Sequence, residues 1–129
     1  MTAINLLEHT DTITAFDEDS WGELVMTTDG DAALIGEIVD DFLNSADRQI
    51  RDLAGSIARH DPDLTRRLAH TIKGGAATVG AAKVAAAAAE IEHVARAGST
   101  SGLESKLQVL DSSLSVARRT LNARVRALA

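Results

Sequence analysis

Residues 69–81 read AHTIKGGAATVGA, a stretch that lies within an otherwise regular amphipathic pattern. It breaks the rules of a helix built only for stability, because Gly74 and Gly75 are adjacent in the predicted helix interior. Each glycine there costs roughly 1 kcal/mol relative to alanine, and a third glycine follows at Gly80. Such a cost indicates that another group comes very close to the backbone at this point.

The histidine of this stretch, His70, is predicted to face solvent. If Leu64 is set at zero and each residue advances about 100°, the large apolar residues fall between about 0° and 80°, whereas His70 falls near 240°. Helical side chains lean towards the N-terminus, which brings neighbouring cations towards the level of the imidazole. The residues within about 60° of His70 are Asp63, Arg66, Lys73, Gly74 and Ala77.

An exposed imidazole among cations suits the receipt of a phosphoryl group. Imidazole has an ordinary pKa of about 6.5, so it is mostly deprotonated at neutral pH and attacks phosphorus without a separate base. A cation ~5 Å away stabilises an added negative charge by about 1–3 kcal/mol at an effective dielectric constant of 20–80. Metal ions commonly bridge the phosphate in such reactions. The sequence contains no evident magnesium cage, so we expect no metal or cofactor on this chain and expect the partner to bring Mg²⁺.

The segment His70-Thr71-Ile72-Lys73-Gly74-Gly75, followed by Gly80-Ala81, resembles the signature of histidine-containing phosphotransfer (HPt) domains of bacterial and plant phosphorelays. The likeness extends over about residues 17–129. Asp41-Phe42-Leu43 resembles the helix that precedes the histidine in this family, and Ile91-Glu92 resembles the hydrophobic–glutamate pair on the next helix.

The resemblance implies a role for each residue of the motif. His70 is expected to be the phosphorylated residue, on Nε2, with Lys73 as the phosphate-stabilising cation and Gly74 as the residue that lets the partner approach. Many family members carry serine where this chain has Gly75. Because Gly75 falls near 20° on the wheel, on the apolar side, we expect looser local packing there. The sequence does not identify the group that orients Nδ1 of His70.

The resemblance also implies a free-standing phosphorelay intermediate without kinase activity of its own. It is expected to accept a phosphoryl group from a receiver-domain aspartate, such as that of a hybrid histidine kinase, and to pass it to the receiver domain of a response regulator. Docking is expected on the His70 face and the neighbouring helix. The predicted partner-binding residues are Arg66, Arg67, Gly74, Ala77 and Lys83.

Charge is unevenly distributed along the chain. Residues 1–60 contain 13 acidic and 3 basic side chains, and residues 61–129 contain 6 acidic and 10 basic side chains. Ordinary solvated helix faces explain most of these charges. The bases near His70 also suit electrostatic steering towards the carboxylate cluster of a receiver domain.

Length and composition bound the remaining possibilities. A chain of 129 residues, expected to be a single domain over 1–129, is large enough to bury its own core. One tryptophan and two phenylalanines argue against a base-stacking nucleic-acid surface, and the absence of cysteine removes disulfides and thiolate metal sites. No apolar run reaches membrane length and no basic region precedes the first apolar patch, so we expect a cytoplasmic protein without a membrane partner.

Helical periodicity predicts an all-α fold. Residues 31–129 are expected to form an antiparallel up-down-up-down four-helix bundle, and residues 1–30 an N-terminal extension with one or two short helices over one end. Asp31 is a predicted N-cap, Asp61-Pro62 restarts the chain as a helix, and Ser101 with Glu104 forms a capping-box pattern. The seven-residue leucine pattern of the last helix also suits a coiled-coil homodimer, but a fourth bundle helix needs the same stripe, so we expect a monomer.

Two other classes of function are compatible with parts of the sequence. Residues 90–93 read EIEH, half of a dimetal bundle signature, but no second such motif occurs. A helical docking module without chemistry remains the alternative, because one bundle surface can bind a partner without a reaction. The combination of His70, Lys73 and Gly74 favours the phosphocarrier, which needs all three.

Overall fold

The computed structural model describes residues 16–129, which form five helices and no strands. The helices are α1 (Glu18–Thr27), α2 (Ala32–Ala58), α3 (Pro62–Val79), α4 (Ala82–Arg96) and α5 (Leu103–Leu128). The all-α prediction is therefore confirmed. Residues 1–15 of the predicted N-terminal extension lie outside the described residues.

The four long helices form a closed ring of neighbours. α2 packs on α3, α3 on α4, α4 on α5, and α5 back on α2, while α1 packs against α3. The connections are short, and short connections join antiparallel neighbours in helical bundles. The predicted four-helix bundle is confirmed, with α1 as the added N-terminal helix.

The core consists of the apolar stripes that the sequence presents at helical spacing. Its largest fully buried side chains come from all four bundle helices, and each such leucine or isoleucine contributes about 1.5–3 kcal/mol when it leaves water. The leucine stripe of α5 is buried within the chain. None of the helices in residues 16–129 is long and apolar enough to cross a membrane. The fully buried leucines and isoleucines are Ile35, Leu53, Ile72, Ile91, Leu103, Leu110 and Leu121.

Aspartates begin the first three helices. Asp17 accepts from Asp19 N and Ser20 N, Asp31 Oδ1 accepts from Leu34 N at 3.1 Å, and Asp61 Oδ1 accepts from Leu64 N at 3.1 Å. Each carboxylate thereby pairs with backbone N–H groups that have no partner within the helix. The predicted caps at Asp31 and Asp61 are confirmed.

The predicted capping box at the start of α5 is wrong. Gly102 occupies the N-cap position with φ 72°, and no side chain caps the helix. Ser101 lies one residue before the cap, where its own N–H donates to Ser99 Oγ at 3.0 Å. The turn into α5 requires a positive φ that glycine adopts at little cost, and this requirement displaces serine from the capping position.

Gly75 lies against the ring of Phe42 from α2. A Cβ placed on Gly75 would lie 2.9 Å from Phe42 Cδ1, closer than carbon atoms normally approach. The expectation of looser packing at this position is therefore wrong. The aromatic ring fills the space that a serine side chain would need, so the absence of a side chain at Gly75 lets α2 and α3 come together.

Gly80 ends α3 and holds the start of α1 against the bundle. Its φ is +81°, in the left-handed region, and its carbonyl oxygen accepts from Asp17 N at 2.8 Å. A Cβ on Gly80 would lie 2.7 Å from the carbonyl oxygen of Asp17, which is backbone and cannot rotate away. Gly80, the third glycine of residues 69–81, thus lets the segment at Asp17 pack directly against the backbone at the end of α3.

Replacing Gly80 by alanine is expected to destabilise the fold by about 2–3 kcal/mol. The left-handed conformation costs roughly 1–2 kcal/mol for a residue with a Cβ, and the contact with Asp17 adds strain. Gly98→Ala is the matched control, because Gly98 has φ +84° and open space around its Cβ position. Urea unfolding measures both variants, and equal losses would contradict the role of the Asp17 contact.

Candidate functional site

His70 projects from the solvent side of α3, as the helical wheel predicted. Its side chain is 63 % exposed, whereas Ile72 and Val79 are buried on the opposite side of the same helix. The imidazole is therefore held on a rigid element and is open to an approaching protein.

Glu92 of α4 holds the imidazole in place. Its Oε2 lies 2.8 Å from His70 Nδ1, and its side chain is only 3 % exposed. α3 and α4 share the most extensive contact between helices in the described structure, and helices approach more closely when the contact side chains are small. Buried alanines line this contact, namely Ala69 and Ala76 on α3 and Ala88 and Ala95 on α4.

Two cations share the same carboxylate. Lys73 Nζ lies 2.6 Å from Oε1 of Glu92, and Arg96 donates to Oε2 at 2.8 Å. The hydrogen bond from Lys73 is the largest cause that lowers the pKa of Glu92; burial opposes it, and the hydrogen bond from His70 adds to it. Glu92 is consequently ionised at neutral pH.

The ionised carboxylate determines which imidazole nitrogen is free. A carboxylate without a proton can only accept hydrogen bonds, so Nδ1 of His70 must be the donor in the 2.8 Å contact. In a neutral imidazole the other nitrogen then carries the lone pair. Nε2 of the exposed ring is therefore the nitrogen with the free lone pair.

No bulky side chain covers the surface of α3 between His70 and Ala77, because Gly74 lies there. A Cβ at Gly74 would meet no atom within 4 Å, and Ala77, one turn further along α3, is exposed. The side of α3 beyond the histidine therefore carries no large side chain at these two positions.

The predicted basic residues lie in different surroundings. Arg66 and Arg67 both pair with Asp63, at 3.2 and 3.6 Å, one turn before His70. Lys83 lies nine residues before Glu92 on α4, about 13 Å along the helix axis at 1.5 Å per residue. Its side chain lines a cavity of about 360 Å³ with residues of α5 such as Ser112, so the structure does not bring it to the imidazole.

Sequence reasoning missed Glu92 and Arg96 as members of the site. The signal for Glu92 was its position, since it falls four residues after Ala88 and three before Ala95, on the apolar face of α4. A carboxylate on a buried face needs partners that compensate for lost hydration. Arg96 carries no comparable signal, because an arginine near a helix end is ordinary.

The EIEH motif at residues 90–93 makes no metal site in the described chain. Glu90 is exposed and pairs with Lys106 at 3.4 Å, while His93 is exposed on the surface of α4. Across residues 16–129, no group of three or more histidine, cysteine, aspartate or glutamate side chains is arranged to hold a metal ion.

Comparisons with known proteins identify the family and support the fold. Residues 37–121 match the family described as the Hpt domain. The chain is similar in structure to histidine-containing phosphotransfer protein B from Pseudomonas aeruginosa PAO1, with a TM-score of 0.78 and 20 % identity over 89 % of this chain and 97 % of that one. It is also similar to a histidine-containing phosphotransfer protein from maize, with a TM-score of 0.76 and 22 % identity over 98 % of this chain and 94 % of that one. A search of curated proteins finds no significant match.

Glu92→Gln is expected to lower stability at neutral pH by about 1.5–3 kcal/mol, the net size of hydrogen bonds to a charged group. Because folding lowers the pKa of Glu92, its ionised form stabilises the fold above the ordinary glutamate pKa, and this contribution is lost as the pH falls through the lowered value. Urea unfolding at pH 7 and at pH 3 measures the difference between variant and native protein.

The control for that experiment is Glu90→Gln, the same change on an exposed residue of the same helix. It is expected to alter stability by less than about 0.5 kcal/mol at either pH. A Glu92→Gln deficit that stays constant down to pH 3 would contradict a stabilising charge at Glu92.

Proposed function

The chain belongs to the Hpt domain family, whose members carry out histidine phosphotransfer in phosphorelays, and we propose that His70 is its phosphoryl acceptor. The observation that carries this proposal is the contact between Nδ1 of His70 and the buried Glu92 carboxylate. It leaves Nε2 as the free nitrogen of an exposed ring, which is what an attack on a partner's phosphoryl group requires.

The proposed reaction is a direct displacement. The lone pair of Nε2 forms a bond to phosphorus as the bond between phosphorus and the receiver's aspartate oxygen breaks, and the electron pair of that bond returns to the aspartate carboxylate. Transfer to a second receiver runs through the same steps in reverse. Catalysis in such reactions consists mostly of positioning and charge stabilisation.

Lys73 is proposed to stabilise the phosphoryl group, which carries about −1.5 to −2 charges. Its ammonium already lies beside the imidazole through their shared carboxylate, and its side chain is 36 % exposed. A small movement of this flexible side chain lets it contact both Glu92 and a phosphoryl oxygen.

The proposed partners are receiver domains, including that of a hybrid histidine kinase. Receiver domains would hold the Mg²⁺ in their own carboxylate cluster, and the present chain would need no cofactor. Arg66 and Arg67, with Gly74 and Ala77, are proposed to contact the partner around His70. Lys83 is proposed only as an outlying contact, since it lies away from the imidazole. We propose that the chain acts as a monomer in the cytoplasm and binds neither nucleic acid nor membrane.

Phosphorylation of His70 is tested by the intact mass of the protein after mixing with a phosphorylated receiver domain and Mg²⁺. The native chain is expected to gain one acid-labile phosphoryl group, and His70→Gln is expected to gain none. His93→Gln is the control, since it removes another exposed histidine and should leave the gain intact.

Because His70 is exposed, His70→Gln should change the unfolding free energy by less than about 1 kcal/mol. A native chain that binds receiver domains without any gain in mass would favour the docking module instead. Gain of a phosphoryl group by His70→Gln would exclude His70 as the acceptor.

Gly74→Leu is expected to slow transfer from a receiver by tenfold or more while leaving the fold intact. Leucine favours helix over glycine by roughly 1 kcal/mol, and nothing lies within 4 Å of its Cβ position. The same side chain would obstruct a partner that comes down on His70.

Quenched time-course phosphotransfer assays measure the effect of Gly74→Leu on transfer, and thermal unfolding measures its effect on stability. Gln108→Leu adds an exposed leucine on α5, diagonally across the bundle from α3, and is the control. Native transfer rates in Gly74→Leu would contradict close approach at this position.

A further inference from the structure

We propose that the Glu92 carboxylate keeps a proton on Nδ1 of His70 while Nε2 carries the phosphoryl group, so that the ring remains a good leaving group. This inference rests on the proposed function of His70. It makes Glu92 a positioning residue that sets how readily the phosphoryl group departs, in addition to holding the ring in place.

The hydrogen bond between His70 and Glu92 already has the direction that the phosphorylated ring needs. Nδ1 already donates to Glu92 in the free protein, at 2.8 Å. When Nε2 bonds to phosphorus, the ring becomes an imidazolium ion whose remaining N–H is this same Nδ1–H. The buried carboxylate then faces a full positive charge, and hydrogen bonds between charged groups are stronger than those between neutral ones.

The charges around the ring also favour a proton on Nδ1 of the phosphorylated histidine. The charged groups that meet beside the ring are Glu92, which contacts it, and Arg96 from α4 and Lys73 from α3, which pair with Glu92; among residues 16–129 no ion pair reaches the ring from α1 or α2. Asp63, Arg66 and Arg67, one turn before His70 on α3, pair with one another and not with the ring. Glu92, Lys73 and Arg96 together carry one net positive charge. A dianionic phosphoryl group on an imidazolium ring carries one net negative charge, so it balances the charge of these three side chains as long as Nδ1 keeps its proton.

The consequence concerns departure of the phosphoryl group. When the bond between Nε2 and phosphorus breaks, its electron pair returns to Nε2, and a ring that still holds the Nδ1 proton leaves as neutral imidazole. A ring that had lost this proton would have to leave as an imidazolate anion, which is far less favourable. Transfer in either direction therefore requires no proton to enter or leave the site.

The test loads the protein from phosphoramidate, a small donor that needs no docking surface. Native protein, Glu92→Gln and Glu90→Gln are labelled with ¹⁵N in histidine and phosphorylated, and intact mass establishes the extent of loading. Glutamine keeps the shape of glutamate and an oxygen that can accept from Nδ1–H, but it removes the charge. Glu90→Gln removes an exposed charge from the same helix.

The readouts are the ¹⁵N resonance of Nδ1 in the phosphorylated ring at pH 8 and the half-life of the phosphohistidine. The native protein and Glu90→Gln are expected to give a protonated Nδ1. Glu92→Gln is expected to give a deprotonated Nδ1 and a several-fold longer half-life, because the variant lacks the negative charge that holds the proton on Nδ1. A shift of the ¹⁵N resonance is not expected from a change in stability alone.

Two results would overturn the inference. One is a deprotonated Nδ1 in the phosphorylated native protein at pH 8, a measurement that does not depend on any variant folding. The other is a Glu92→Gln half-life equal to the native one in a variant that remains helical by circular dichroism. Failure of the native protein to take up a phosphoryl group on His70 would instead refute the proposed function, so the two failures are distinguishable.

Discussion

The buried carboxylate of Glu92 is the constraint on which the arrangement of the site depends. A side chain that is 3 % exposed and ionised must have its lost hydration replaced by hydrogen bonds. Here the replacement comes from three donors, on the exposed His70 and Arg96 and on the half-buried Lys73. All three side chains thereby meet at one carboxylate between α3 and α4, beside the imidazole.

The fold provides that point in the contact between α3 and α4, the most extensive contact between helices in the described structure. Buried alanines on both sides of the α3–α4 contact leave little bulk between the helices, so a glutamate on α4 reaches a histidine on α3. On the other side of α3, the ring of Phe42 packs directly against Gly75. At the C-terminal end of α3, the start of α1 packs against Gly80. Because glycine and alanine occupy these contacts, α3 packs closely against its neighbours, and His70 lies on the outer surface of the bundle.

The site combines an exposed surface around His70 with a buried carboxylate at Glu92. His70, Gly74 and Ala77 are exposed, which suits the proposed approach of a large partner, whereas the buried Glu92 orients the imidazole ring. Burial of the orienting group keeps its charge from being screened by water and salt, which weaken exposed ion pairs. The proposed chemistry therefore combines an accessible nucleophile with a protected counter-charge.

The sequence by itself determined the bundle helices, the aspartate caps at Asp31 and Asp61 and the outward direction of His70, because these depend on spacing along one chain segment. It did not determine the capping of α5, where the turn geometry required Gly102, nor the packing at Gly75, where Phe42 of another helix fills the space. It also could not assign the partner of Nδ1, since Glu92 follows His70 by 22 residues and meets it only when α3 and α4 pack antiparallel. Tertiary structure decided these features because each is a contact between segments whose relative placement no local pattern encodes.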